Sequence, residues 1–125
     1  MTLIEAIQAF DDCRSNELSL EQKIMWISEL DKKISAEHLE IRGYERFNGY
    51  SYQHSMNEVV KAPEEFSEIY TLYLNMKLDY MNGEISRYNN SALLFNRAYK
   101  ELGDAINRKL KVLKNSKIKA GDLYV

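Results

Sequence analysis

The longest regular pattern in the chain is a set of apolar residues that recur every three or four positions between Ile85 and Leu113. This spacing places all of them on one stripe of an α-helix. The members of the stripe are Ile85, Tyr88, Ala92, Phe95, Tyr99, Leu102, Ile106, Leu110 and Leu113. The polar residues between them are predicted to face water, and Gly103 costs the helix only about 1 kcal/mol. Because one helix cannot bury a stripe of about 40 Å alone, the pattern predicts a bundle of helices.

Two shorter amphipathic patterns lie near the start of the chain. The first helix is predicted to follow Thr2, its N-cap, and to end near Arg14. The second begins with Ser19 at the N-cap and Gln22 three residues later, the capping-box spacing. The predicted core residues are Leu3, Ile4, Ile7 and Phe10 in the first helix and Leu20, Ile24, Ile27, Leu30, Ile34 and Ile41 in the second, with Trp26 beside them. On the second helix, the side chains predicted to face solvent are Asp31, Lys32, Lys33 and Glu37.

A third helix is predicted from Pro63, at its first position, to Met81. Its apolar residues lie on nearly every side, which is typical of a central helix that several neighbours contact. Asn82 and Gly83 end it just before the long helix, so the two are predicted to form an antiparallel hairpin. The fold class predicted from these patterns is all-α: a small helical bundle built on a long C-terminal helix.

The segment between Arg42 and Lys61 has no helical period and is predicted to be a long loop. The Asn48-Gly49 pair favours a short hairpin within it, and Val59-Val60 is a candidate anchor. Long loops in small domains are often functional. The aromatic side chains suited to contact another molecule are Tyr44, Phe47, Tyr50 and Tyr52. Stacking on nucleic-acid bases is one interpretation, but the acidic or neutral surroundings favour a protein contact.

The chain is predicted to have one helical domain, residues 1–113, followed by a tail, residues 114–125. The tail is too polar to pack and too short to fold alone. One interpretation is a frayed end, and the other is a segment that orders on a partner, for example as an added strand. The residues that favour docking are Lys114, Lys117, Ile118, Lys119, Leu123, Tyr124 and Val125.

Charge is unevenly distributed along the 125 residues, although the net charge is only −2. Residues 1–70 carry a net charge of −7, and residues 71–125 carry +5. Chance is one explanation of this uneven charge. The other is that the protein has two oppositely charged surfaces, which meet complementary partners or neighbouring copies. The first residues lack the basic start of a signal peptide, and no apolar run is long enough to span a membrane.

Candidate chemistry is sparse, and we expect no cofactor, no metal and no enzymatic activity. A carboxylate-bridged metal site in a helical bundle needs Glu three residues before His. Ser35 and Ser51 occupy those positions relative to His38 and His54. The single cysteine, Cys13, is interpreted as a half-buried thiol because no histidine is near it in sequence. No phosphate-binding glycine loop or nucleophile elbow is present.

Two stretches of the chain resemble a known family. The first is TLIEAIQAFDDCRSNELSLEQKIMWISELDKKI, residues 2–34. The second, and more specific, is PEEFSEIYTLYLNMKLDYMNGEISRYNNSALLFNRAYKEL, residues 63–102, with its KLDY, NGEI and RYNNS segments. Together they resemble the small head–tail connector, or adaptor, proteins of tailed phages and prophages of Gram-positive bacteria.

The resemblance implies a non-enzymatic virion protein of the phage neck, assembled in the host cytoplasm. It implies a homo-oligomeric ring, commonly twelvefold, below the portal protein. The ring extends the channel through which DNA passes without sequence specificity, and it presents a surface to the next connector, stopper or tail-completion protein. The resemblance further implies that the tail, residues 114–125, grips the portal, and we expect the loop aromatics to contact a neighbouring subunit or the next ring.

Two other functions are alternatives to the connector. A small helical DNA-binding or regulatory phage protein would use the basic second half of the chain and bind duplex DNA in a salt-dependent way. Against it, the acidic residues Asp79, Glu84, Glu101 and Asp104 interrupt the basic ones, and no helix suited to reading bases stands out. An enzyme on a helical scaffold is disfavoured because the residues do not form a catalytic set.

Overall fold

The computed structural model describes residues 1–52 and 55–109, which form an all-α bundle. Its four α-helices are α1 (Leu3–Cys13), α2 (Leu20–Ile34), α3 (Glu68–Met81) and α4 (Ile85–Lys109). The predicted fold class is therefore confirmed. Within the described residues the structure contains no β-strand, only an isolated antiparallel bridge between Thr2 and Val59. The hairpin predicted at Asn48-Gly49 does not form, and none of the helices described is long and apolar enough to cross a membrane.

Both predicted N-caps are present. The Thr2 side chain accepts a hydrogen bond from the Glu5 N–H, and the Glu5 carboxylate accepts one from the Thr2 N–H, so α1 begins with a capping box. The Ser19 hydroxyl accepts a hydrogen bond from the Gln22 N–H at 3.1 Å and caps α2. These bonds satisfy amide groups that have no carbonyl partner inside the helix, and they fix where each helix starts.

α3 lies at the centre of the bundle and packs against the other three helices. Its buried side chains include Ile69, Tyr70, Leu74 and Leu78, which agrees with the apolar pattern on several of its sides. Its start differs from the prediction. Pro63 precedes a short 3-10 turn, Glu64–Phe66, and the α-helix begins only at Glu68.

The apolar stripe of α4 faces the bundle as predicted over most of its described length. The polar residues between the stripe positions are exposed except the half-buried Ser91, whereas Phe95, Leu102 and Ile106 on the stripe are buried. Ile85 is the exception, with 74% of its surface exposed. α3 ends four residues earlier, at Met81, so no helix covers Ile85 at the end of the hairpin. Leu110 and Leu113 lie outside the described residues.

α2 does not continue regularly beyond Ile34. A π-helical turn, Ser35–Leu39, and a 3-10 turn, Glu40–Arg42, follow it, and Gly43 then turns the chain with a positive φ of 95°. A π-helical turn changes the register of the residues after it. This change explains why Ile41, predicted to lie on the core stripe, is exposed instead.

The π-helical turn is the contact point for the C-terminal half of α4. The Tyr99 hydroxyl donates to the Glu37 carboxylate at 2.9 Å, and the rings of Tyr99 and His38 lie 5.4 Å apart. A Cβ atom at Gly103 would lie only 2.7 Å from the His38 Cε1 atom. Gly103 therefore leaves the space that the His38 ring fills.

Replacing Gly103 by alanine is expected to lower the free energy of unfolding by about 1 kcal/mol, because the new methyl group overlaps the His38 ring. In an ordinary helix the same change raises it by about 1 kcal/mol. Urea unfolding followed by circular dichroism measures the difference. In a His38→Ala background Gly103→Ala should become stabilising, and a stabilising single variant would show that the ring moves aside without cost.

Candidate functional site

Three polar side chains on α2 and its π-helical extension hold the long loop against the bundle. Ser28, Asp31 and Ser35 are spaced by three and four residues, so they lie on one face. The Phe47 N–H donates to the Ser35 hydroxyl at 3.1 Å, and the Tyr50 N–H donates to the Ser28 hydroxyl at 3.0 Å. The loop therefore runs back along α2, and its amides are paired with side chains of that helix.

Asp31 lies in the middle of this face and binds the loop near its middle and at its end. Its carboxylate accepts hydrogen bonds from the Tyr50 hydroxyl, from the Tyr70 hydroxyl at 2.6 Å and from the Lys61 N–H at 3.2 Å. The Tyr70 hydroxyl also accepts a hydrogen bond from the Ala62 N–H at 2.9 Å. One buried carboxylate thus connects α2, α3 and two loop positions eleven residues apart in sequence. We call Asp31, Tyr50 and Tyr70 the loop latch.

The exposed fraction of Asp31 is 0%, which corrects the prediction that this residue faces outward. Burial raises the pKa of the Asp31 carboxyl group from 3.8 to about 6, although the hydrogen bonds from Tyr50, Tyr70 and Lys61 act in the opposite direction. Burial, together with the Asp31 charge, also raises the pKa of both tyrosine hydroxyls. The tyrosines therefore stay neutral and serve as hydrogen-bond donors.

The second half of the loop is tied to the start of α1. The Leu3 N–H donates to the Glu58 carbonyl at 2.9 Å, and the Ile4 N–H donates to the Met56 carbonyl at 3.0 Å. These are amides of the first turn of α1, which need partners outside the helix. Val60 is buried and anchors this segment, as predicted for the Val59-Val60 pair, while Val59 is exposed.

The four loop aromatics occupy different environments. Tyr44 is only 1% exposed and belongs to the core, so it offers no surface to a second molecule, contrary to the prediction. Tyr50 is half-buried and its hydroxyl belongs to the loop latch. Phe47 is half-buried, with its ring 4.7 Å from the Tyr50 ring and the Lys61 ammonium 4.7 Å above it. Tyr52 is 46% exposed and is the best placed of the four for contact with a partner.

The sequence contains a signal for the loop latch that helical periodicity alone does not show. Ser28, Asp31 and Ser35 each follow a core residue of α2, in the pairs Ile27-Ser28, Leu30-Asp31 and Ile34-Ser35. A polar residue one step from every core position lies at the edge of the buried face, where a covering segment can reach it. Because Lys32 and Lys33 lie next to Asp31, this edge of the helix resembles a solvated face.

A second buried polar cluster fixes the end of the α3–α4 hairpin. The Arg14 guanidinium forms an ion pair with the Asp79 carboxylate at 2.7 Å, and the Ser91 hydroxyl donates to that carboxylate at 2.5 Å. Burial raises the pKa of Asp79, but the hydrogen bonds from Arg14 and Ser91 outweigh it and hold that pKa below its ordinary value. The cluster joins the end of α1 to both helices of the hairpin.

Apolar side chains are exposed on either side of the chain reversal between α3 and α4. Tyr80, Met81 and Ile85 are all more than half exposed. Gly83 makes the turn between the helices with a φ of 69°, and the Tyr80 and Tyr88 rings meet edge to face at 5.5 Å. A cavity of about 200 Å³ opens here, lined by Asp79, Tyr80, Gly83, Glu84, Ile85 and Tyr88. The hairpin end is therefore a largely apolar surface on a rigid base.

The candidate residues for metal binding and nucleophilic chemistry are His38, His54 and Cys13. Within residues 1–52 and 55–109, no group of three or more His, Cys, Asp or Glu residues could hold a metal ion. Cys13 is exposed rather than half-buried; it is the last residue of α1, and Phe10, one turn earlier, is the last residue of that helix to be buried. His54 lies outside the described residues. So do all the tail residues predicted to dock on a partner, Lys114, Lys117, Ile118, Lys119, Leu123, Tyr124 and Val125.

Comparison of the chain with protein-family models, with curated proteins and with solved structures finds no match. The surfaces of the described residues and the resemblance of the sequence are therefore the basis for a proposed function.

Proposed function

We propose that this protein is a structural subunit of a phage head–tail connector. In this proposal its copies form a ring below the portal, extend the DNA channel and join the capsid to the tail. One observation carries the proposal. The stretch that resembles connector proteins, residues 63–102, also contains five large apolar residues that the folded chain leaves exposed. They are Tyr80, Met81, Ile85, Leu93 and Leu94.

Exposed apolar side chains on rigid helices support a role in assembly. Single exposed residues are ordinary on a soluble protein, but groups of them mark contact surfaces. Here one group lies at the hairpin end and another in the middle of α4. A subunit in a closed ring needs two different contact surfaces for its neighbours, and it needs further surface for the rings above and below.

The loop and the tail have distinct roles in the proposal. The tail, residues 114–125, binds the portal. The loop, held by Asp31, presents Tyr52 and the open side of Phe47 to a neighbouring subunit or to the next ring. A loop that is already ordered by hydrogen bonds loses less conformational entropy on binding than a free one, which favours its use as a contact.

The proposal is tested by mixing the purified protein with the portal protein of the same genome and examining the mixture by negative-stain electron microscopy. We expect a ring stacked on one end of the portal, in which the number of subunits can be counted. The protein alone and the portal alone are the controls. A folded protein that never associates with the portal would contradict the proposal.

Deleting residues 114–125 tests the role of the tail in the same assay. We expect the shortened protein to keep its circular dichroism spectrum and to lose at least tenfold in portal affinity. Unchanged portal binding would remove the tail from the proposal. A titration with duplex DNA distinguishes the regulatory alternative, since binding that falls steeply with salt is typical of that class.

A further inference from the structure

The outward face of α4 carries an apolar residue beside two cations. Leu93, Arg97 and Lys100 are spaced by four and three residues, so they share the face opposite the buried stripe. Leu93 is 57% exposed and its neighbour Leu94 is 50% exposed. Among residues 1–52 and 55–109, Arg97 and Lys100 have no ion-pair partner. Within the part of the chain that the structure describes, this face has no partner in the protomer.

The corner between α1 and α2 carries the opposite charge beside another exposed apolar residue. Glu21 and Met25 are one helical turn apart on the outer side of α2, and Met25 is half exposed. Glu17 lies in the turn just before the helix and is also exposed. In the part of the chain that the structure describes, neither Glu17 nor Glu21 pairs with a basic residue. Asp12, at the end of α1, adds a further exposed acid.

The two faces match in spacing as well as in charge. On α4 the step from Leu93 to Arg97 is about 6 Å along the helix, and on α2 the step from Met25 to Glu21 is also about 6 Å. With Leu93 against Met25, Arg97 lies opposite Glu21 and Lys100 extends toward Glu17. Opposite charges around an apolar contact set the register of an interface and disfavour other partners.

We infer that the α4 face of one copy, Leu93, Arg97 and Lys100, docks on the α1–α2 corner of a second copy, Glu17, Glu21 and Met25. This inference rests on the proposed function and deepens it by naming the two sides of the subunit interface. The two faces are different, so each copy uses one face for each neighbour, and such head-to-tail association gives a ring when the rotation between successive copies closes.

Nucleic acid fits the α4 face less well than a protein does. DNA-binding faces combine several cations around a phosphate path. Here the exposed Leu93 shares the face with the two cations, Leu94 is exposed beside it, and the acidic residues Glu101 and Asp104 follow the cations along the helix. An apolar centre with a charged rim is instead the usual organisation of a protein interface.

A charge exchange tests the interface with the full-length chain. Arg97→Glu with Lys100→Glu, and separately Glu17→Lys with Glu21→Arg, should each reduce ring assembly on the portal at least tenfold. In an equimolar mixture of the two variants, every contact between unlike copies joins opposite charges, so a ring of alternating variants should assemble when its number of subunits is even. The protein that carries all four changes has both faces reversed and should recover assembly to within about threefold of the original.

Controls separate this result from misfolding and from failure of the proposed function. Glu68→Lys, a charge reversal at an exposed position of α3 outside the loop and both faces, should leave assembly unchanged, and Leu93→Ser should weaken assembly without changing any charge. If rings form normally with either reversal, or if the fourfold variant does not recover, this interface is wrong although the connector proposal stands. If a charge reversal abolishes DNA binding while ring assembly is unchanged, the α4 face binds nucleic acid and the inferred subunit interface is wrong. If the original protein forms no ring on the portal and does not self-associate in sedimentation measurements, the interface and the proposed function both fail.

Discussion

Replacing Asp31 by alanine is expected to lower the free energy of unfolding at pH 5 by about 4 kcal/mol. The change removes the acceptor for three donors at once, the Tyr50 hydroxyl, the Tyr70 hydroxyl and the Lys61 N–H. A buried donor that loses its acceptor costs about 1–2 kcal/mol, and few of these donors can reach water without moving the loop. Urea unfolding followed by circular dichroism measures the loss.

Two further measurements connect this loss to the loop. Trypsin should cleave after Arg46 many times faster in the Asp31→Ala variant, because the loop is released from α2 before the bundle unfolds. Asp12→Ala is the matched control, since Asp12 is exposed on α1, and its free energy of unfolding should change by less than about 0.5 kcal/mol. A loss below about 1 kcal/mol for Asp31→Ala, with unchanged cleavage, would show that the loop is held elsewhere.

The loop latch matters for function because it determines which side chains of the loop are exposed to a partner. Tyr50 is turned inward to Asp31, whereas Tyr52, two residues later, is exposed. A substitution of Tyr50 therefore disturbs the fold as well as any contact, and Tyr52→Ala is the cleaner probe of a loop interface. If the loop contacts a neighbour, Asp31→Ala should weaken assembly and Tyr50→Phe should weaken it less, since the ring stays in place.

The helical framework was predictable because it depends on local patterns. The caps at Thr2 and Ser19 and the apolar stripe of α4 are all encoded within a few residues of where they act. The register change after Ile34 was not predictable in this way. The π-helical turn at Ser35–Leu39 is stabilised by contacts with Tyr99 and Gly103, which lie more than sixty residues away.

The loop latch shows why the candidate site was harder to predict than the fold. The sequence predicts that Asp31 faces water together with Lys32 and Lys33. The donors that bury it, Tyr50 and Tyr70, lie in the loop and in a different helix. Periodicity identifies the side of a helix that is buried by other helices, but it does not show which edge an irregular segment will cover. The prediction for Tyr44 is wrong for the same reason, since a loop without periodicity does not show which of its side chains point into the core.

The stability of the protein is expected to depend on pH through Asp31, and the direction follows from its pKa. The pKa rises from 3.8 to about 6 on folding, with burial as the largest cause. Between these two values the folded protein binds more protons than the unfolded chain. The contribution of Asp31 to stability is therefore fully present below pH 3.8 and is lost as the pH rises through 6. The whole effect is about 3 kcal/mol, at about 1.4 kcal/mol for each pKa unit.

The measurement compares the protein with its Asp31→Asn variant by urea unfolding at several pH values. Relative to the variant, the original protein should gain about 2 kcal/mol between pH 7 and pH 4.5, and the difference should be flat above pH 7. Carboxyl groups whose pKa is lowered on folding contribute with the opposite sign and toward lower pH, such as Asp79, whose pKa is lowered by Arg14 and Ser91 despite burial. The subtraction removes them because both proteins share them. A difference that stays constant from pH 4.5 to 7 would mean that the three hydrogen bonds to Asp31 offset its burial, and the latch would then hold the loop equally well on both sides of pH 6.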